Sequence, residues 1–469
     1  MMAATLPVAV MASVVFAPAA ASAVATPAGA STRLSHAAVA AHVDALQRIA
    51  DANGGNRASG TPGYAASLDY VEGHLKQAGY QIERRPFSFL YTRVLEERLT
   101  LPGGEEAPVV LATYSPSTSE RGLTARFAAV PGTEEQQQGC ADSAYEGADV
   151  SGRIALVRNG GCGTDAKERA AAGAGAAAVI VINDVPGPVY GWLKDPEAAR
   201  IPVAGVSSQT GEALVRAGQD DAPGTLVARS LTEPRTTENL IARMSAGDPE
   251  HQVISGAHVD SVPGTAGIND NGGAVALLLE TALQRAERAE RPRNQLVYAF
   301  WGAEEFDMLG SQHYVDSLSA AQRERIDVYL NLEMIGGANA GLFVMDGVDA
   351  DPDSGLVPPE GSAVIADRFA RAFAAAGQTA QTWKLDGRSD YAPFMKAGIP
   401  AGGLNGGSFE LKSPEQAQLW GGTAGTPFDP CYHKLCDTAA NFNAEIAGRH
   451  GEAFLSTLDH FADARPDDS

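Results

Sequence analysis

The chain has 469 residues, 44% of them hydrophobic, and a formal net charge of −22 at pH 7. At ~100–200 residues per domain, that length holds two or three domains, and the apolar fraction is ample for real cores. The negative balance excludes binding to nucleic acid or an anionic membrane through bulk electrostatics.

Residues 1–30 read as an export signal. Leu6 to Phe16 is a mostly apolar run, followed by Pro18 and by small residues with A-x-A cleavage options near Ala21, Ala23 and Ala25. The usual basic n-region is missing, since no charged residue precedes Arg33. The run is shorter than the ~20 apolar residues of a membrane span, and no later stretch reaches that length. The expected protein is secreted, without a membrane segment.

Leu34 to Asn53 has helical periodicity, Gly60-Thr61-Pro62-Gly63 reads as a turn, and Tyr64 to Ala78 is a second amphipathic helix closed by Gly79. Gln81 to Leu90 reads as a strand. From about Pro102 to Pro234 the texture changes to short β-rich runs (108–113, 154–158, 177–183, 202–206) divided by Gly and Pro, with one Ala-rich helix at 164–172. This stretch contains no histidine and no obvious charged or aromatic cluster, so it reads as an inserted module that shapes access rather than one that carries chemistry.

From Asn239 onward strands and helices alternate. Strands are expected at 253–257, 295–301 and 328–332, and helices at 271–288, 310–317, 362–375 and 447–463. That alternation argues an α/β sandwich around a largely parallel sheet, whose ligands gather at the carboxyl ends of the strands.

Four separated segments place chemistry at those ends: GAHVDSVPGTAGINDNGG, FWGAEEFDMLGS, YLNLEMIG and DPCYHKLCD. His258 and Asp260 lie two apart, so they leave one face of a strand end, and Asp260 can accept the second ring N–H of a ligating His258. Asp270 heads a helix, where an N-cap is the plainer account, although cap and bridging ligand are compatible. Glu304 and Glu305 are adjacent acids after a buried strand. They suit a solvated loop, or a nearby cation that relieves their repulsion. Glu333 ends an apolar strand, where a charge demands a partner. His433 stands between two cysteines. Imidazole and carboxylate together are the ligand types that hold zinc and leave a position for water.

The four cysteines fall into local pairs, Cys140 with Cys162 and Cys431 with Cys436. An even count in an exported chain suggests two disulfides. Thiolate ligation of zinc around His433 is the rival reading, ranked lower because histidines and carboxylates already fill a site.

The stretches NGGNRASGTPGYAASLDYV, GAHVDSV, GINDNGG, WGAEE, YLNLEMIG, GRSDYAPF and GGTAGTPFDPCYHKLCD resemble the secreted di-zinc aminopeptidases related to bacterial leucyl aminopeptidase and aminopeptidase Y. That family also includes glutamate carboxypeptidase and the transferrin receptor ectodomain. GADVSGRIALVRNGGC…AKERAAAGAGAAAVIVIND resembles a protease-associated domain. The resemblance implies a three-layer zinc exopeptidase fold over 31–103 and 235–469, with the β-rich protease-associated domain inserted at 104–234.

It further implies one zinc on His258, Asp270 and Glu333 and a second on Asp270, Glu305 and His433. Glu304 would be general base, Asp260 the residue orienting His258, Tyr432 the oxyanion donor and Arg388 a holder of bound peptide. For Arg388 a surface ion pair is the plainer account, and Asp390 is a weaker candidate. Secreted relatives leave room for a calcium ion, but no EF-hand-like loop is present to place one. The family's aminopeptidases usually carry Asp where this chain has Glu333, and in more distant di-zinc exopeptidases Glu there accompanies carboxypeptidase action. The expected function is therefore a monomeric metallo-aminopeptidase acting on peptide or protein N-termini. A carboxypeptidase or dipeptidase, or a non-catalytic binding protein, are the alternatives.

Overall fold

The computed structural model describes residues 34–185 and 187–464. The expected export signal lies outside them. Among the described residues twelve strands of four residues or more follow in chain order: β1 Gln81–Thr100, β2 Leu123–Ala129, β3 Ile154–Arg158, β4 Ala178–Ile182, β5 Val203–Val206, β6 Pro223–Arg243, β7 Asp248–His258, β8 Asn294–Trp301, β9 Ile326–Glu333, β10 Phe343–Ala350, β11 Gln381–Leu385 and β12 Ala401–Asn405. Among the described residues eight helices reach eight residues or more: α1 His36–Ala52, α2 Pro62–Gln77, α3 Thr164–Gly173, α4 Ser208–Gln219, α5 Gly273–Glu287, α6 Leu309–Asp316, α7 Ser362–Ala375 and α8 Ala444–Asp463.

The strands run in the order β11-β10-β12-β9-β7-β8-β6, with β1 antiparallel on β6. The centre, β12-β9-β7-β8, is parallel. Strands β8 and β12 are buried at every residue, as a sheet covered on both faces requires. Alternation along β8 divides the two cores. Leu296, Tyr298 and Phe300 join α1, α2, α5, α7 and α8, whereas Val297, Ala299 and Trp301 face α6 and the short Tyr391–Lys396 helix. This is the expected three-layer sandwich.

The insert forms its own parallel row β2-β3-β4-β5, joined to the main sheet through β6. Strands β1 and β6 pair along almost their whole length, from Gln81 opposite Arg243 to Thr100 opposite Thr225. Strand β1 is twice the expected length, and the expected boundary at 234/235 falls inside β6. Neither was legible, because this ribbon is rich in Arg, Glu and Thr and carries no long apolar run. The insert is also packed against the catalytic domain: Phe89, Tyr91, Ala303 and Phe306 share a core with Tyr114, Val179 and Leu193.

Two local readings are corrected. Pro62 and Gly63 are not turn residues but open α2, where Thr61 caps the helix and proline fits the first position. Helix α5 begins at Gly273 with Gly272 as N-cap, so Asp270 caps nothing and its side chain is free for other work.

Candidate metal centre

Strands β7, β8 and β9 end side by side, and the site stands on their carboxyl ends. His258 closes β7 opposite Trp301 of β8, and Glu333 closes β9. His258 Nε2 lies 3.3 Å from Glu333 Oε1, 3.4 Å from Asp270 Oδ1 and 3.6 Å from Glu304 Oε2. His433 Nε2 lies 3.2 Å from the other Asp270 oxygen, Oδ2, and 3.1 Å from Glu305 Oε2. The structure thus gathers all five expected ligands and Glu304, with the Asp270 carboxylate shared between two imidazoles.

The surrounding polar groups fix these side chains. Ser389 donates to Glu333 Oε2 at 2.5 Å, and Asn331 donates to Ser389 Oγ at 2.7 Å. Tyr329, in turn donated to by Trp301, donates to Asn331. On the far side of Asp270, Asn271 donates to the Leu332 carbonyl and accepts from the Met334 amide, tying the loop to the end of β9. The fully buried Arg57 donates to the carbonyls of Val259, Ala266 and Gly267, along the segment that leads into that loop. Ala303, Met334 and His433 each hold a positive φ beside a ligand-bearing residue or at one, conformations that surroundings must enforce. For Ala303 the clamp is a hydrogen bond that its amide donates to Ser59 Oγ at 2.7 Å.

Asp260 does not take the expected part with its carboxylate. His258 Nδ1 lies 3.0 Å from the Asp260 carbonyl and 3.7 Å from Oδ1, which instead accepts the Glu304 amide at 3.3 Å. A carbonyl only accepts, so the near contact still keeps the proton on Nδ1 and turns the Nε2 lone pair into the site. Tyr432 stacks on His433 with ring centroids 3.8 Å apart, and Arg388 Nη2 lies 3.3 Å from its hydroxyl. Arg388 has no carboxylate partner among the described residues, so the surface ion pair is not what holds it. Asp390 is buried and accepts from Ser311 at 2.5 Å.

The electrostatics are those of a cation site. Burial pushes the Glu304 carboxyl well above its usual range; His258 opposes this, and Glu333, Asp390 and Glu305 add to it. Burial and Asp270 push Glu305 to about 7 against His433. Against the cost of burial, its neighbouring carboxylates raise His433 to about 10. Among the described residues no lysine or arginine pairs with any of these acids, and Glu305 Oε1 is buried without a hydrogen-bond partner. Orphaned acceptors and unneutralised acids around two imidazoles fit a zinc donor set. Two of the overlapping triads, His258–Asp270–Glu305 and His258–Glu304–Glu333, have ligand atoms within 4.8 Å of one another.

Two spaces meet here. A cleft of ≈ 1210 Å³ opens between the site and the insert, walled by Tyr114, Tyr190 and Trp192 as well as Arg388, Tyr432 and His433. A pocket of ≈ 50 Å³ lies inward, between Asp270, Glu333, Met334, Trp383 and Tyr391. The aromatic wall corrects the reading of an insert without an aromatic cluster. Residues distant in sequence converge, with Tyr114 and Trp192 edge-to-face at 5.5 Å and Tyr190 edge-on to His433 at 6.3 Å. Both expected disulfides are present, Cys140–Cys162 and Cys431–Cys436, and the second closes the loop that carries His433.

A carboxylate shared by two imidazoles, at the strand ends of an α/β sandwich, defines a metallohydrolase-type site. The chain belongs to peptidase family M28, whose model matches residues 239–458, and a PA domain matches residues 123–214. It is 40% identical to "Probable lipoprotein aminopeptidase LpqL" of Mycobacterium tuberculosis over 89% of this chain and 83% of that one. It is 37% identical to "Aminopeptidase" of Pseudomonas aeruginosa, covering 87% and 77%, and 34% identical to "Leucine aminopeptidase 2" of Trichophyton rubrum, covering 89% and 81%. Among solved structures it resembles "Aminopeptidase from Aneurinibacillus sp. strain AM-1" at 25% identity and TM-score 0.72, covering 92% and 95%. The fold is also that of the zinc aminopeptidase BSAP of Bacillus subtilis, at 24% identity and TM-score 0.65 over 94% and 97%. The chain is a peptidase with an inserted PA domain.

Proposed function

We propose that the protein is a secreted di-zinc aminopeptidase that removes single residues from the amino termini of peptides. The observation that carries this reading is Asp270, whose two oxygens face His258 and His433 at 3.4 and 3.2 Å. His258, Asp270 and Glu333 hold one zinc; Asp270, Glu305 and His433 hold the other. When bound, the two ions supply Lewis-acid polarisation of the scissile carbonyl and a water acidified towards neutrality.

The chain supplies the rest. Glu304 takes the proton of the attacking water and returns it to the leaving amine. Burial holds the Tyr432 hydroxyl protonated well above its ordinary range, against Arg388, so that it donates to the carbonyl oxygen as negative charge develops. Arg388, at the rim of the cleft, holds the bound peptide, and the acidic lining anchors its free α-amine. The insert, taken as residues 104–234 within a peptidase domain of 31–103 and 235–469, walls the cleft and shapes access. Two disulfides support action outside the cell, and the chain works as a monomer.

Removal of zinc by a chelator is expected to abolish release of leucine from leucyl chromogenic amides, and re-addition of zinc to restore it. Acetylation of the substrate's amino terminus is expected to block hydrolysis. Hydrolysis of an amino-acetylated peptide that keeps a free carboxyl terminus would instead assign a carboxypeptidase, the reading that Glu333 favours, and turnover confined to dipeptides a dipeptidase. Activity that survives both chelation and Glu304→Ala would overturn metal-assisted hydrolysis altogether.

A further inference from the structure

We propose that Asp437 is a positioning residue that locks the His433 loop to the Asp270 loop and so sets the second of the two metal positions; this rests on the dinuclear reading above. Three consecutive amides of the Asp270 loop donate to this one residue. The Ile268 amide reaches its carbonyl at 3.4 Å, the Asn269 amide reaches Oδ1 at 2.8 Å and the Asp270 amide reaches Oδ2 at 3.0 Å. Asp437 is fully buried and follows Cys436, the residue whose disulfide to Cys431 closes the loop around His433. A continuous path therefore runs from the Asp270 backbone through the Asp437 carboxylate and the disulfide loop to His433, and back across 3.2 Å to Asp270 Oδ2.

The Asp437 carboxylate is itself held on its far side. Asn441 Nδ2 lies 3.3 Å from Oδ1 and donates to Asp429 at 2.9 Å, and Asp429 also accepts the Asn269 side chain at 2.7 Å. On the other side of the site His258 and Glu333 end adjacent parallel strands, and Ser389 rather than Asp437 supports the Glu333 carboxylate. Only a carboxylate offers two acceptors to two successive amides. An amide in its place would turn an N–H₂ towards a backbone N–H. Loss of the clamp should loosen the His433–Glu305 side and spare the His258–Glu333 side.

The test is zinc titration of the whole protein by calorimetry, with metal content after dialysis, on wild type and Asp437→Asn. The wild type is expected to hold two zinc ions. Asp437→Asn is expected to keep the tighter one and to bind the other ~10–100-fold more weakly, the range seen when partners behind metal ligands are removed. Its kcat should fall further than its KM rises. A folded Asp437→Asn chain that binds both ions with wild-type affinity overturns the proposal, even if its melting temperature drops. Should Asp437→Asn not fold, Asn441→Ala, which removes one donor to the same carboxylate, is read in the same way. A loss of about threefold at one ion only supports the clamp, and unchanged affinity at both overturns it. A wild type that binds fewer than two ions refutes the dinuclear reading instead, which separates the two failures.

Discussion

The site has two halves that share Asp270 but are built differently. His258 and Glu333 terminate adjacent parallel strands, and the His258 side chain is 1% exposed. His433 sits at positive φ in the loop closed by the Cys431–Cys436 disulfide and is 24% exposed. Sheet hydrogen bonds place the first half as a by-product of folding. The second half is placed by loop-to-loop contacts, among them those from the Asp270 loop to Asp437. Both halves use buried polar groups, but the second has no strand-borne candidate ligand.

The largest expected effect lies where both halves act together. Glu304→Gln is expected to cut kcat by about 10³-fold while zinc content stays unchanged, since general acid–base groups contribute ~10²–10⁴; a loss below tenfold would remove Glu304 from the proton transfer.

The next lies beneath the strand-held half. His450 on α8 is fully buried, and burial lowers its pKa from 6.5 to about 4. The folded chain therefore refuses a proton that the unfolded chain accepts, so stability is lost as pH falls from 6.5 towards 4. The loss reaches about 3 kcal/mol at the lower end. Urea denaturation of wild type and His450→Gln at pH 7 and pH 4.5 checks this, because the variant should lose less stability over that interval.

Ser389→Ala sharpens the comparison within the same half. It removes the donor to Glu333 Oε2, and zinc affinity at the His258 side should fall ~10–100-fold with the His433 side untouched, as metal titration would read. The smallest effect belongs to the loop. Replacing Cys431 and Cys436 by serine should lower stability by at most about 2 kcal/mol, because so short a loop constrains the unfolded chain little. Activity should fall more than the melting curve alone explains.

The same contrast decides what could be read from the sequence. The candidate ligands could be picked out because carboxylates and imidazoles from separated segments all follow apolar runs, and the strand–helix alternation placed them on one sheet edge. The groups that support them were not. Arg57, Asn269, Asn271, Ser389 and Asp437 make their contacts across long sequence distances and mostly to backbone atoms, which leaves no periodic trace. The placement of Asp260 was missed for a related reason: its carbonyl rather than its carboxylate meets His258, and a main-chain atom carries no signature in the side-chain code. Strands β10, β11 and β12 were missed because they are short or broken by Gly and Asp.

The β1–β6 ribbon has a practical corollary for protein engineers. At 20 and 21 residues, its strands span about 65 Å and carry the paired backbone from one module into the other, with one register shift between Val94 and Glu96. Exchange of the insert between relatives must therefore splice within a ladder, not at a linker. A chimera misaligned by a single residue would turn every side chain beyond the seam to the opposite face.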